Sequence, residues 1–236
     1  MHLGIILPQF DTGPDELFAA AGLAEESGLD SVWVFDNLWG VPHRDRPVLE
    51  AWTALAAVAA STSRITVGSL VLRTTLRNRR VLLSMTETLD MIAPGRVVLG
   101  LGIGDSRTFD EQRAYGLESP PPGERAAELE RHLDLFQSEL PQVPVWLGGA
   151  SRYVMDLIPK AGGWNYWGSV DDFEKRLKRA RAASSDESVS VGWGAPKAST
   201  EELERLVELG ADHAVVAAGA HNYQEKIAML AEFRQG

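Results

Sequence analysis

Two aspartates, an asparagine and several close-set glycines hold most of the chemistry this sequence can offer. Asp36 and Asn37 follow the apolar run Ser31–Phe35 directly. A carboxylate placed there either caps the loop by bonding local amides or points at a ligand. Asp105 ends the run Gly100-Leu101-Gly102-Ile103-Gly104-Asp105. Glycines let a backbone approach a flat ligand closely, and three alternate glycines are more than a tight turn requires. Gly148-Gly149-Ala150-Ser151 leads into a predicted helix, where free amides and the helix dipole suit an anion. Arginines stand at 73, 77, 79 and 80, and the last three crowd the start of another predicted helix. Cations oppose the dipole there, so either solvent screens them or an anion offsets them. Trp39, Trp164 and Trp167 either line the same region or pack in the core.

Other chemistry is excluded. The chain has no cysteine, which removes disulfides, thiolate metal sites and cysteine nucleophiles. Its histidines, at 2, 43, 132, 213 and 221, have no zinc-motif spacing, so no metal site is expected. No lysine ends a predicted strand, which disfavours a Schiff-base aldolase. A net charge of −10 makes nucleic acid and anionic membranes poor partners. No run reaches the roughly 18 apolar residues of a membrane helix. Met1 to Pro8 carries no Lys or Arg and reads as a first strand rather than a signal peptide, so a cytoplasmic protein is expected.

The elements that must position these residues alternate along the chain. Strands are predicted at Leu3–Leu7, Ser31–Phe35, Ile65–Leu72, Arg96–Leu101, Val143–Leu147, Gly163–Trp167, Val189–Trp193 and His213–Ala217, each followed by a helical pattern. The helices include Glu50–Ser61, Asn78–Ile92, Glu124–Leu135 and Ser151–Lys160, with Gly102–Gly123 read as a long loop. Ser199 and Glu202 form a capping box. Glu25 to Val34 resembles Val207 to Val216, both reading helix end, Gly, Asp, apolar strand. A recurrent helix-to-strand turn and 236 residues fit a single compact (β/α)₈ TIM barrel over 1–236, typically ~250 residues. An open doubly wound sheet is the rival, but its glycine fingerprint is missing, since Pro8 to Pro14 holds one glycine. In a barrel the active site lies at the strand C-termini, which gathers the residues above into one mouth. The helix over Ala51–Ala60 is apolar all round, which predicts burial of its outer face in a homodimer.

In this order the motifs resemble the luciferase-like monooxygenase family, which includes the F420-dependent oxidoreductases. The similarity runs through Leu49 to Ala57, Thr62 to Val71, Arg77-Asn78, Thr88-Leu89-Asp90, Gly95-Arg96, Gly100 to Asp105, Val143 to Gly149 and Gly163-Trp164-Asn165. The resemblance implies a barrel, usually dimeric, that carries a cofactor at its mouth. It implies a bulge in strand three with a non-prolyl cis peptide behind the cofactor ring at Leu70–Val71, with Ser69 nearby. It sets Gly102 and Gly104 beside the ring and Gly148, Gly149 and Ala150 at a cofactor phosphate, with Arg77 as a candidate anion partner. Asp105 falls where relatives place a catalytic Glu. Relatives often carry Asp-His after strand two, where this chain has Asp36-Asn37, and His43 is the candidate substitute. The long insertion common before strand five is absent. The implied function is an oxidoreductase using reduced coenzyme F420 for hydride transfer to a small organic substrate. FMN is the alternative cofactor, and a non-catalytic flavin-binding barrel the alternative role. Proton handling would fall to Asp36, Asn37, Asp105 and His43, with the pKa of Asp105 raised in a dry mouth.

Overall fold

The computed structural model describes residues 1–40, 44–183 and 189–236. Its strands are β1 (His2–Ile6), β2 (Ser31–Val34), β3 (Thr66–Ser69), β4 (Leu72–Arg73), β5 (Val97–Gly102), β6 (Val145–Gly148), β7 (Gly163–Trp167), β8 (Ser190–Ala195) and β9 (His213–Ala217). Each pairs in parallel with its neighbours. Pairing of β3 with β5, Val67 opposite Val97, closes the sheet into a barrel. β4 continues β3 after an interruption, so nine segments fill eight barrel positions. The helices between them are α1 (Pro14–Glu26), α2 (Ala51–Ser61), α3 (Arg79–Ile92), α4 (Phe109–Ala114), α5 (Pro122–Glu139), α6 (Arg152–Met155), α7 (Val170–Ala183), α8 (Thr200–Glu208) and α9 (Tyr223–Gln235).

Local chemistry sets the helix starts. Glu50 caps α2 by accepting from the amides of Trp52 and Thr53, and Asn78 caps α3 through Arg80 and Val81. The Ser199–Glu202 capping box opens α8 as its sequence predicts. Apolar residues on alternate faces of the strands build two cores. The outer one lies between strands and helices, where Trp164 stacks on Phe173. The inner one fills the barrel with Ile6, Trp33, Leu70, Trp146 and Val215. The rings of Trp33 and Trp146 meet there at 5.4 Å.

One expectation about elements is met and two are corrected. Within Ile65–Leu72 the strand is interrupted by a cis peptide between Leu70 and Val71, where the family resemblance implies one, and β4 resumes in register with β5. The helix expected over Ser151–Lys160 is α6 alone, followed by a 3₁₀ turn at Ile158–Lys160. Pro159, which has no N–H to give, sits in that turn. The loop expected over Gly102–Gly123 contains a 3₁₀ turn at Ser106–Thr108 and then α4. The buried residues of α4 are Glu111 and Gln112, so it has no apolar stripe to betray it.

Candidate active site

The C-terminal ends of the strands surround a cleft of about 690 Å³. Asp36, Asn37, Leu70, Val71, Gly102, Gly104, Asp105, Gly148, Gly149 and Ala150 all line it. The sequence therefore brings together most of the residues it marks. Ser69 and Arg77 are not among the lining residues. The hydroxyl of Ser69 is buried behind the cleft, where it donates to the Gly100 carbonyl at 3.0 Å and accepts from its amide at 3.1 Å. His43 lies outside the described residues.

The glycines fit around the interrupted strand. A Cβ at Gly100 would stand 1.9 Å from the Ser69 carbonyl oxygen. At Gly102 and Gly148 it would stand 2.7 and 2.6 Å from methyl groups of Val71. The glycines of β5 and β6 thus make room for the Leu70–Val71 bulge, and both of its residues line the cleft.

Behind this floor lies a buried charge network. The Asp36 carboxylate accepts from the Arg73 amide at 2.8 Å and from two guanidinium nitrogens of Arg77 at 3.0 and 2.9 Å. Arg77 also donates to Glu50 at 2.6 Å. Burial pulls the Arg77 pKa down, but the charges and bonds of Asp36 and Glu50 outweigh it and raise the value. The guanidinium of Arg73 pairs with Glu111 at 2.5 Å, and Glu111 accepts from the amides of Leu38 and Trp39 at 2.6 and 3.0 Å. Arg79 reaches Glu128 at 3.1 Å. The anions that offset Arg77 and Arg79 at the start of α3 are therefore the protein's own carboxylates. This corrects the reading of Arg77 as a cofactor ligand: its cation is already satisfied. It also favours the anchoring role of Asp36 over the proton-handling one.

Asp105 is corrected in a second way. Partial burial pushes its carboxyl up, but hydrogen bonds from the Arg107 side chain and amide, with the charges of Arg107 and Arg73, hold it below the ordinary carboxylate value. Arg107 donates from its Nη2 at 2.6 Å and its amide at 2.9 Å. Asp105 is an anion at neutral pH, not the protonated acid that a dry mouth would make. Partners nearby, rather than apolar surroundings, decide its state.

Trp167, which the sequence offers either to this region or to the core, lines the cleft, and Phe35 and Asn165 escaped sequence reasoning. Phe35, at the end of β2, meets Trp167, at the end of β7, edge to face at 5.2 Å, and Phe10 stands 6.2 Å from Phe35. Asn165 is 4% exposed, and its Nδ2 has no partner among the described residues. The β7 strand signal could have found Asn165 and decided between the two roles open to Trp167, because alternation sends both to one face and Trp164 to the other. Nothing local marks Glu111, whose partners lie more than 30 positions away.

The luciferase-like monooxygenase model matches residues 1–138, more than half of the chain. The chain belongs to that family. The F420-dependent glucose-6-phosphate dehydrogenase of Kineococcus radiotolerans is 39% identical to it over 125 residues, 52% of this chain and 36% of that protein. The matched segment thus spans well under half the length of that relative. Among solved structures, an F420-dependent secondary alcohol dehydrogenase bound to an F420–acetone adduct superposes with a TM-score of 0.83 at 16% identity, covering 98% of this chain and 97% of that one. The coenzyme F420-dependent tetrahydromethanopterin reductase of Methanopyrus kandleri gives 0.80 at 15% identity, with 98% and 97% covered. These likenesses establish the family barrel. Strands β6–β9, with Asn165 and Trp167, lie beyond the segment that the family model matches.

Proposed function

We propose that this family member is an oxidoreductase that binds coenzyme F420 in the barrel mouth and acts on a small organic substrate. The observation that carries the reading is the glycine-cradled Leu70–Val71 bulge lining an open cleft. The cleft has the size of a small-molecule site, about 300–1,000 Å³. Gly102 and Gly148 leave the bulge bare of side chains on both flanks, which suits a flat ring lying against it. Gly149, Ala150 and Ser151 lead into α6. The Ser151 hydroxyl takes the Val154 amide, and the first-turn amides ahead of it have no intrahelical partner. They suit a phosphate on the cofactor tail. Asn165 also lines the cleft, with its Nδ2 buried beside Gly192.

A bound F420 supplies hydride chemistry, and the protein supplies position and exclusion of water. Asn37 has no proton to transfer near neutral pH, but its carboxamide both donates and accepts, so it orients a substrate. Asp105, held ionised, acts as a proton acceptor or as an electrostatic partner. We also infer a cytoplasmic homodimer that covers the half-buried Trp52, Ala56 and Ala57 of α2. Among the described residues no helix is long and apolar enough to cross a membrane.

The test is the visible spectrum of protein purified from a host that makes both F420 and FMN. It is followed by titration with each cofactor and turnover of the reduced forms with alcohols, enones, aldehydes and imines. F420 binding with turnover is expected. FMN in its place would exchange the cofactor, and tight binding without turnover would leave a flavin-binding barrel. Binding of neither would end the proposal. Sedimentation giving a monomer at micromolar concentration would remove the dimer.

A further inference from the structure

Four charged residues line the cleft, and they neutralise one another. Asp36 and Arg73 belong to the buried network, where Glu111 also engages the Arg73 guanidinium. Arg107 is committed to Asp105 through both its Nε and Nη2 atoms. Among the described residues no lysine lines the cleft, and neither lining guanidinium lacks a carboxylate. A phosphorylated substrate entering this space would have to displace a carboxylate to gain a cation. At Arg73, losing the buried Glu111 partner costs about 3–5 kcal/mol, and the exposed Arg107–Asp105 pair offers only a solvent-screened cation worth at most about 1 kcal/mol.

The apolar surface points the other way. Phe35 and Trp167 come from strands that are not neighbours in the sheet, so their 5.2 Å contact crosses the barrel interior. Phe10 extends the aromatic surface from β1, while Leu70, Val71 and Ile103 supply an aliphatic one. All three aromatic rings are only partly buried, and the space they face is the cleft. Trp167 and Asn165 also lie in the part of the chain beyond the family match, so the substrate side need not follow the curated relatives.

We propose that the substrate is an uncharged, ring-bearing carbonyl compound or the corresponding alcohol, held against Phe35 and Trp167, and not a sugar phosphate. This rests on the F420 reading only for where the cofactor lies. Acetophenone and glucose 6-phosphate serve as probes, each titrated calorimetrically into the protein with and without oxidised F420, while F420 affinity is measured separately by its fluorescence. Acetophenone is expected to bind and glucose 6-phosphate not to bind. Trp167→Ala and, as a milder change at the rim, Phe10→Ser should each weaken acetophenone about tenfold, the loss of one aromatic contact with its buried area, with F420 affinity unchanged. Binding of glucose 6-phosphate, failure of acetophenone to bind in either state, or acetophenone affinity untouched by both variants would overturn the substrate assignment. Failure of F420 to bind, with acetophenone still bound, would overturn the cofactor reading alone.

Discussion

Glu111 and Arg73 pair at 2.5 Å inside the barrel mouth, with side chains 0% and 5% exposed. The same carboxylate holds the amides of Leu38 and Trp39, so α4 pins the segment after β2 to the segment after β5. Tyr115 adds a bond from its hydroxyl to the Leu38 carbonyl at 2.8 Å. Glu111→Ala would strand the Arg73 charge and free two amides. Removing one member of a buried pair typically costs about 3–5 kcal/mol. Urea denaturation should show a loss of that order, and limited proteolysis should show new cleavage between Asn37 and Leu49. Glu111→Gln, which keeps an acceptor for the amides, should protect the loop better than it protects stability.

Asp105 titrates against Arg107, so Arg107→Ala should move its pKa up toward the ordinary carboxylate range. A carboxylate depressed in the folded state adds stability above its unfolded pKa, and that stability is lost as pH falls through the folded value. The Asp105 side chain is 48% exposed, so solvent screening limits the contribution to well under about 1 kcal/mol. The informative readout is therefore the carboxyl titration itself, followed by carbon NMR. An Asp105 titration that does not move in Arg107→Ala would dissociate the pair.

Most of the barrel was legible in the sequence, because each strand is a short apolar run set between glycine or aspartate turns, as in Gly28 to Val34 and Gly210 to Val216. The rule that places sites at strand C-termini then located the cleft. What stayed hidden depends on pairing across the mouth. Asp36 reads as a free carboxylate until Arg77 folds onto it from 41 positions away. Asp105 reads as a candidate acid until Arg107, two residues on, turns back to it. Helix α4 is polar on the face it buries, because that face packs charges instead of apolar groups. Periodicity detects apolar burial and is blind to ion pairs.

At the opposite end of the barrel, burial and then the neighbouring charge of His2 pull the His213 pKa down to about 4, with Asp212 opposing. The ring stacks on His2 at 4.9 Å and meets Trp146 edge-on at 4.6 Å. A histidine depressed in the folded state is neutral in both states at high pH. As pH falls below the unfolded pKa, about 6.5, the unfolded chain takes up the proton first, so stability drops until the folded value is reached. The loss between pH 6.5 and 4 should approach roughly 3 kcal/mol from this residue. His213→Gln should flatten that part of the stability profile in urea melts taken across the window. An unchanged slope would show that His213 takes up its proton without resistance.

The bulge and its glycines offer a test of how the cleft is built. Gly148 has no positive φ, so alanine is compatible with its backbone, and the obstacle is contact alone. The added Cβ would meet Val71 methyl carbons at 2.6 and 2.9 Å. Overpacking of this kind costs typically about 1–3 kcal/mol. Gly148→Ala should lower stability by that amount and push Val71 further into the cleft, weakening the cofactor. Val71→Ala removes the two methyl groups and should be mild alone, since Val71 is only partly buried. Combined, the two changes should cost less than their sum, because the second removes the atoms the first collides with. Thermal denaturation measures the stability arm and F420 titration the binding arm. Additive losses in the double variant would mean that Val71 is not what Gly148 makes room for. A coupled stability effect with unchanged F420 affinity would leave the packing account intact and move the cofactor ring away from the bulge.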